Sequence, residues 1–198
     1  MHRRTFIKGS AAVIPGSMAL NMLMNRSFAF AQTPDFSSDI DVLNYALTLE
    51  YLESAFYRQG NAKGLLTGTE AAYLKKVGAD EDAHVAALTS TITKLGGTPV
   101  AAPGVDFKDS FSSRASFLQA SYTFENTGVS AYLGAAGFIK SKDILQAAAG
   151  IFGVEARHAA VVGNLLGLPP EGGVFKGATE TPLPKAQVLQ AVSPYITK

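Results

Sequence analysis

The feature that most constrains this chain is a repeated Glu-x-x-His pattern. Glu81 and His84 form the first copy, and Glu155 and His158 form the second, at a constant offset (155 − 81 and 158 − 84 both equal 74). On a helix, a spacing of three residues places both side chains on one face. We therefore expect two helices that each present a carboxylate and an imidazole to the same interior.

A second repeated pair precedes each copy of the pattern. Glu50 is followed seven residues later by Tyr57, and Glu125 is followed seven residues later by Tyr132. The offset between these pairs (125 − 50 = 75) almost equals that of the Glu-x-x-His copies. Such an internal repeat indicates two helix pairs of the same design in one chain.

Hydrophobic periodicity and turn residues predict four long helices. The expected ranges are about 38 to 59 with an end near Gly60, 69 to 95, 112 or 113 to 140, and from a turn at 141–143 to Gly167. The crossover at residues 100–110 is the longest internal connection. The pattern predicts an all-α fold, a four-helix bundle with a long crossover between helices two and three. We assign residues 32–168 to this bundle and residues 169–198 to a C-terminal strap with a short helix at 185–192.

The first 31 residues have the features of an export signal. Arg3-Arg4 followed by Phe6 and Lys8 resembles a twin-arginine signal, and Ala29-Phe30-Ala31 has the small-x-small pattern of a cleavage site. The uncharged apolar stretch between them, residues 11–24, is shorter than the ~20 residues that span a bilayer. We therefore expect cleavage, no permanent membrane anchor, and a periplasmic or otherwise exported location reached by the twin-arginine route.

Charge and cysteine content limit which partners the chain can bind and which interactions can stabilise its fold. Removing residues 1–31 takes away four of the 17 basic residues and none of the 16 acidic ones, which leaves a slightly acidic chain. No basic face that would neutralise phosphates is visible, which argues against a nucleic-acid partner. The chain has no cysteine, so a disulfide framework is excluded. Stability must come from packing or from bound metal.

The repeated residues form a set of metal ligands. One inward carboxylate from each of two helices, with a Glu-x-x-His pair from each of the other two, is the set that holds dinuclear iron or manganese in a bundle core. Carboxylate oxygens and imidazoles suit these ions. The expected ligands of two iron or manganese ions are Glu50, Glu81, His84, Glu125, Glu155 and His158.

The alternative is a hydrogen-bonded polar seam in a bundle without metal. Two observations weigh against it. The only histidines after residue 31 are His84 and His158, and both end a Glu-x-x-His pair. Burying four carboxylates without a cation is also costly, because unpaired buried charge is penalised by several kcal/mol or neutralised through a shifted pKa.

Three further residues are candidates for contact with these ligands. Glu53 lies three residues after Glu50, and its counterpart in the repeat is Gly128, so Glu53 either reaches the ligands or lies on the surface. Tyr57 and Tyr132 either donate hydrogen bonds to ligating carboxylates or only pack in the core. The residues alone leave these alternatives open.

At this point the sequence resembles the ferritin-like superfamily, and within it the ferritin-like domain proteins of the desiccation-related group. The resemblance spans about residues 38–168. It rests on Leu49-Glu50-Tyr51-Leu52-Glu53 with Phe56-Tyr57, on Glu81-x-x-His84, on Phe124-Glu125-Asn126 and on Glu155-x-x-His158. The resemblance implies a left-handed four-helix bundle in which the matching glutamates and histidines bridge or terminally bind two metal ions.

Three functions are compatible with this resemblance, since fold alone does not select a reaction. The first is stress-related redox chemistry with dioxygen or peroxide, of a ferroxidase-like or catalase-like kind. The second is iron storage, which the small number of acidic residues disfavours. The third is a non-catalytic stress or desiccation-related structural bundle. The metal, the substrate and the assembly into homo-oligomers stay open at this point.

Overall fold

The computed structural model describes residues 35–197, so the predicted export signal at residues 1–31 lies outside the described part. Five α-helices account for most of the described residues. They are α1 (Asp39–Ala62), α2 (Gly68–Lys94), α3 (Arg114–Ala136), α4 (Lys142–Leu165) and α5 (Lys185–Val192). Two short strands, β1 (Gly104–Val105) and β2 (Ile196–Thr197), and two 3-10 turns, Lys108–Phe111 and Ser193–Tyr195, complete the fold. The predicted all-α bundle is confirmed.

Serine caps fix the starts of three of the four long helices. The hydroxyls of Ser38, Ser113 and Ser141 accept the backbone N–H groups of residues 41, 116 and 144. Each cap satisfies one of the donors that a helix start leaves unpaired. Because Ser141 is a cap, the predicted turn at 141–143 is shorter than expected and α4 already begins at Lys142.

Two predicted helix ends were wrong by a few residues. α1 continues past Gly60 to Ala62, since Gly60 is buried and packs directly against the ring of Phe117. α3 ends at Ala136, four residues before the predicted Lys140. The Asp39 carboxylate accepts the backbone N–H groups of residues 140 and 141 at 2.8 and 2.9 Å, which holds this segment outside the helix.

The helices pack in two pairs, α1 with α2 and α3 with α4. Two apolar clusters occupy the interior. One contains many aromatic side chains, among them Phe56, Phe117 and Phe124, and the other is mainly aliphatic and includes Leu47 and Ile92. Along α1, buried apolar residues lie both before Glu50, such as Leu47, and after it, such as Phe56, so the polar residues of the repeat interrupt an apolar interior.

The crossover and the C-terminal strap are joined by a feature that the sequence did not predict. β1 pairs with β2 in antiparallel register, Gly104 with Thr197 and Val105 with Ile196. Helix α5 has the predicted range and buries Val188 and Val192 against the bundle. None of the helices in the described part is long and apolar enough to cross a membrane.

Candidate metal centre

The structure brings the six residues of the predicted ligand set together in the interior. They come from all four long helices, with one glutamate each from α1 and α3 and a Glu-x-x-His pair each from α2 and α4. The four glutamates Glu50, Glu81, Glu125 and Glu155 are fully buried. His84 and His158 are 8% and 7% exposed. The helical spacing of three residues thus directs each pair to the same interior point.

The six side chains divide into two overlapping groups. The potential ligand atoms of each group, one per residue, lie within 4.8 Å of one another. The first group is Glu50, Glu81, His84 and Glu155, and the second is Glu81, Glu125, Glu155 and His158. Glu81 and Glu155 belong to both groups, so this buried cluster is compatible with a dinuclear metal site.

Each histidine presents its Nδ1 atom to several carboxylate oxygens at once. His84 Nδ1 lies 3.2 Å from Glu50 Oε2, 3.1 Å from Glu81 Oε2 and 3.2 Å from Glu155 Oε1. His158 Nδ1 lies 3.0 Å from Glu81 Oε1 and 3.3 Å from Glu125 Oε2. One ring nitrogen carries at most one proton, so it cannot donate to all of these oxygens.

Several of these potential metal-ligand atoms have no hydrogen-bond partner among the described residues. They are Glu81 Oε1, Glu125 Oε2, both carboxylate oxygens of Glu155, and His158 Nδ1. Glu81 Oε1 and His158 Nδ1 are close, but the pair is not aligned as a hydrogen bond. Unpartnered buried polar atoms are rare in proteins because each is costly. A cation at the point where they converge would satisfy all of them, so the residues fit a metal centre.

The pKa shifts show that negative charge is in excess in this buried cluster. Burial is the main cause that raises the pKa of Glu50 to about 7. Burial, with repulsion from Glu125, raises the pKa of Glu155 well above its ordinary value. Burial lowers the pKa of His84, but the close carboxylates of Glu155, Glu50 and Glu81 outweigh it and raise the pKa to about 12. Without a cation, the cluster must therefore take up protons to offset its negative charge.

Two tyrosines support the candidate ligands across the bundle. The hydroxyl of Tyr132, on α3, donates to Glu50 Oε1 at 2.5 Å. The hydroxyl of Tyr57, on α1, donates to Glu125 Oε1. Each tyrosine therefore holds the glutamate that belongs to the other half of the repeat.

Glu53 lies in the interior and not on the surface. Its exposed fraction is 3%, and burial with repulsion from Glu155 raises its pKa well above the ordinary value. A Cβ atom at Gly128 would lie 2.9 Å from Glu155 Oε2 and 3.3 Å from Glu53 Oε1. The missing side chain at Gly128 therefore leaves the space that these two carboxylates occupy.

The sequence reasoning missed one residue of the site. The Asp80 carboxylate lies 3.3 Å from His158 Nε2, the ring nitrogen on the side away from the glutamates. A carboxylate in this position orients a histidine and raises its basicity as a ligand. The only signal in the sequence was the adjacency of Asp80 to Glu81, since the contact depends on how α2 meets α4.

Comparison with known proteins supplies one match. The family model described as "Ferritin-like domain" matches residues 38–168, a span that contains all six residues of the two groups. The search of curated proteins gave no match.

Proposed function

We propose that this chain, which belongs to the ferritin-like domain family, is an exported metalloprotein that binds two iron or manganese ions in its bundle. The observation that carries the proposal is the pair of overlapping buried groups that share Glu81 and Glu155. The unpartnered oxygens of these two glutamates support it, because a protein interior rarely leaves such atoms without a partner.

The overlap suggests a role for each candidate ligand. Glu81 and Glu155 would contribute to both metal positions, since both groups contain them. Glu50 with His84 would complete one position, and Glu125 with His158 the other. The hydrogen bonds from Tyr132 and Tyr57 would keep the terminal glutamates in place, and Asp80 would orient His158.

The chemistry that we propose is redox chemistry with dioxygen or peroxide, in a stress response. Two metal ions held by these residues at neighbouring positions would supply redox chemistry with dioxygen or peroxide. The protein contributes a preorganised ligand set, and the buried apolar residues around it exclude water. Export by the twin-arginine route, proposed from residues 1–31, fits a protein that folds around its metal before it crosses the membrane.

Iron storage and a non-catalytic structural role have weaker support. The whole chain has only 16 acidic residues, and six of them are Glu53, Asp80 and the four candidate glutamate ligands, so few remain to nucleate a mineral. A non-catalytic bundle of the desiccation-related type has no physical need for two Glu-x-x-His pairs in register. Loss of those pairs to apolar residues would remove the cost of the buried charges.

The proposed function is tested with protein reconstituted with Fe(II) or with Mn(II). We expect either dioxygen-dependent oxidation of Fe(II) or peroxide breakdown by the manganese form, at rates well above those of the free ions. The matched control is the Glu155→Gln/His158→Ala double variant, which should retain the fold and lose both reactions. Rates equal to those of the free ions with bound metal present would overturn the catalytic part of the proposal.

A further inference from the structure

A cavity of about 60 Å³ lies between the four long helices, which all contribute to its walls, and it is partly open to the surface beside the exposed Ala87 and Ala147. The walls are almost entirely apolar and include Ala46 from α1, Leu88 from α2, Ala131 from α3 and Ile151 from α4. The ring of Tyr132 is also part of the wall. The metal-binding proposal makes no use of this space.

The cavity lies one helical turn away from the candidate ligands on three helices. Ala46 precedes Glu50 by four residues, Leu88 follows His84 by four, and Ile151 precedes Glu155 by four. Four residues of α-helix correspond to about 6 Å along the axis. On the remaining helix, Tyr132 lines the cavity and its hydroxyl donates to Glu50 Oε1. A molecule in the cavity would therefore be next to the centre.

The cavity exists because the two halves of the repeat differ in side-chain size. At the other end of the bundle, Phe56, Phe117 and Phe124 pack in the interior, and the rings of Phe56 and Phe124 have centroids 4.8 Å apart. At an offset of 75 residues the chain has smaller side chains, all of which line the cavity. The pairs are Phe56 and Ala131, Phe117 and Val42, and Phe124 and Leu49.

The polar groups of the cavity are too few for a polar ligand. Of the three hydroxyls on residues that line it, that of Thr91 donates to the backbone oxygen of Ala87 and that of Tyr132 donates to Glu50. Only the Tyr45 hydroxyl has no hydrogen-bond partner among the described residues. An ordered water needs two to four polar partners, and hydrogen peroxide would bring two O–H donors, whereas the walls offer a single hydroxyl without a partner. The walls therefore favour an apolar occupant.

The volume sets the size of that occupant. A cavity of about 150 Å³ with similar apolar walls stays dry and binds benzene or xenon. The present cavity has less than half that volume, which is too small for a ring or a long alkyl chain and large enough for a diatomic gas. Because the cavity adjoins the centre, we infer that it binds dioxygen and that dioxygen, not peroxide, is the oxidant. The oxidant assignment rests on the proposed function, whereas gas binding by the cavity does not.

The direct test uses crystals of the mature protein, pressurised with xenon as a probe of apolar cavities. We expect one xenon site between Ala131 and Ala46 in the parent, and loss of that site in an Ala131→Leu variant. The control is Ala86→Leu, the same change at an exposed position of α2 outside the cavity. A parent crystal without xenon at this position would overturn the inference, whatever the metal content. A Leu49→Phe variant, which restores the larger residue of the repeat, provides a second way to fill the cavity.

A second measurement tests the choice of oxidant. In the Fe(II)-loaded protein, Ala131→Leu should slow oxidation by dioxygen several-fold and leave oxidation by peroxide unchanged. Equal slowing with both oxidants, or no slowing with dioxygen, would overturn the assignment of dioxygen. If the protein takes up no metal, the proposed function fails, and the xenon experiment still decides whether the cavity binds gas.

Discussion

The Tyr132 hydroxyl donates to Glu50 Oε1 at 2.5 Å, which links α3 to a candidate ligand on α1. Tyr57 and Glu125 make the reciprocal link from α1 to α3. The two halves of the repeat therefore hold each other's glutamates, so the geometry of the site and the packing of the bundle depend on the same contacts.

This link predicts the effect of a Tyr132→Phe variant. The change keeps the ring and leaves one oxygen of the fully buried Glu50 without its donor, which costs about 1–3 kcal/mol of unfolding free energy. Urea unfolding of the metal-free protein measures the effect. Tyr73→Phe serves as control, since Tyr73 is 47% exposed. Identical losses in the two variants would show that the Tyr132 contact contributes nothing specific.

The space at Gly128 predicts opposite results for two glycine substitutions. Gly128→Ala would place a methyl group 2.9 Å from Glu155 Oε2, so it should lower both stability and metal occupancy. Gly153→Ala, on α4, meets no atom within 4 Å and should raise stability by up to about 1 kcal/mol through better helix propensity. Thermal unfolding and metal analysis of both variants test the pair. Equal stabilisation by both would contradict the crowding at Gly128.

The contact between Asp80 and His158 predicts a loss of affinity without loss of fold. Asp80→Asn should weaken metal binding on the order of 10–100-fold, the usual effect of removing a carboxylate that orients a ligating histidine. Competition with a chelator of known affinity measures the change. The matched control is Asp82→Asn on the same helix, since Asp82 pairs with Arg58 at the surface. Asp80 has no role at the centre if both variants bind metal like the parent.

The raised pKa values predict how the metal-free protein responds to pH. Burial raises the pKa of Glu50 to about 7, and carboxylate contacts raise that of His84 to about 12. A group whose pKa is higher in the folded state stabilises the fold below its unfolded pKa, and this contribution disappears as pH rises through the folded pKa. The pKa of Glu81 shifts in the opposite direction, to about 2. This group therefore affects the stability of the fold only at more acidic pH.

Stability of the chelator-treated protein should therefore fall as pH rises from about 5.5 to about 8. Urea unfolding across this range measures it. With metal bound, this decline should be reduced or reversed, because the cation replaces the protons and its binding strengthens as the ligands lose them. A metal-free protein whose unfolding free energy rises with pH would contradict the description of the cluster.

The sequence was sufficient to predict the four-helix bundle and the convergence of the six repeated side chains in its interior. A spacing of three residues fixes two side chains on one helix face, and the repeat places two such faces in register. Metal binding by these residues stays a prediction. The sequence also left the position of Glu53 open, because burial at that point depends on the space left by Gly128 on another helix.

Features that depend on contacts between distant segments could not be predicted. The pairing of β1 with β2 joins residues 104–105 to residues 196–197, and neither strand is long enough to have a recognisable pattern. The early end of α3 results from hydrogen bonds to Asp39, about a hundred residues earlier in the chain. The cavity results from small differences in volume between equivalent positions, such as Phe56 and Ala131, which matter only once four helices have packed.

The most direct test of the central claim is the metal content of the protein, purified without chelators. Elemental analysis should find about two iron or manganese ions per chain, in line with two overlapping ligand groups. A His158→Ala variant should lose most of this metal while an Asp82→Asn variant keeps it. No metal above background in the parent, and none taken up on reconstitution, would contradict the account and favour a structural bundle.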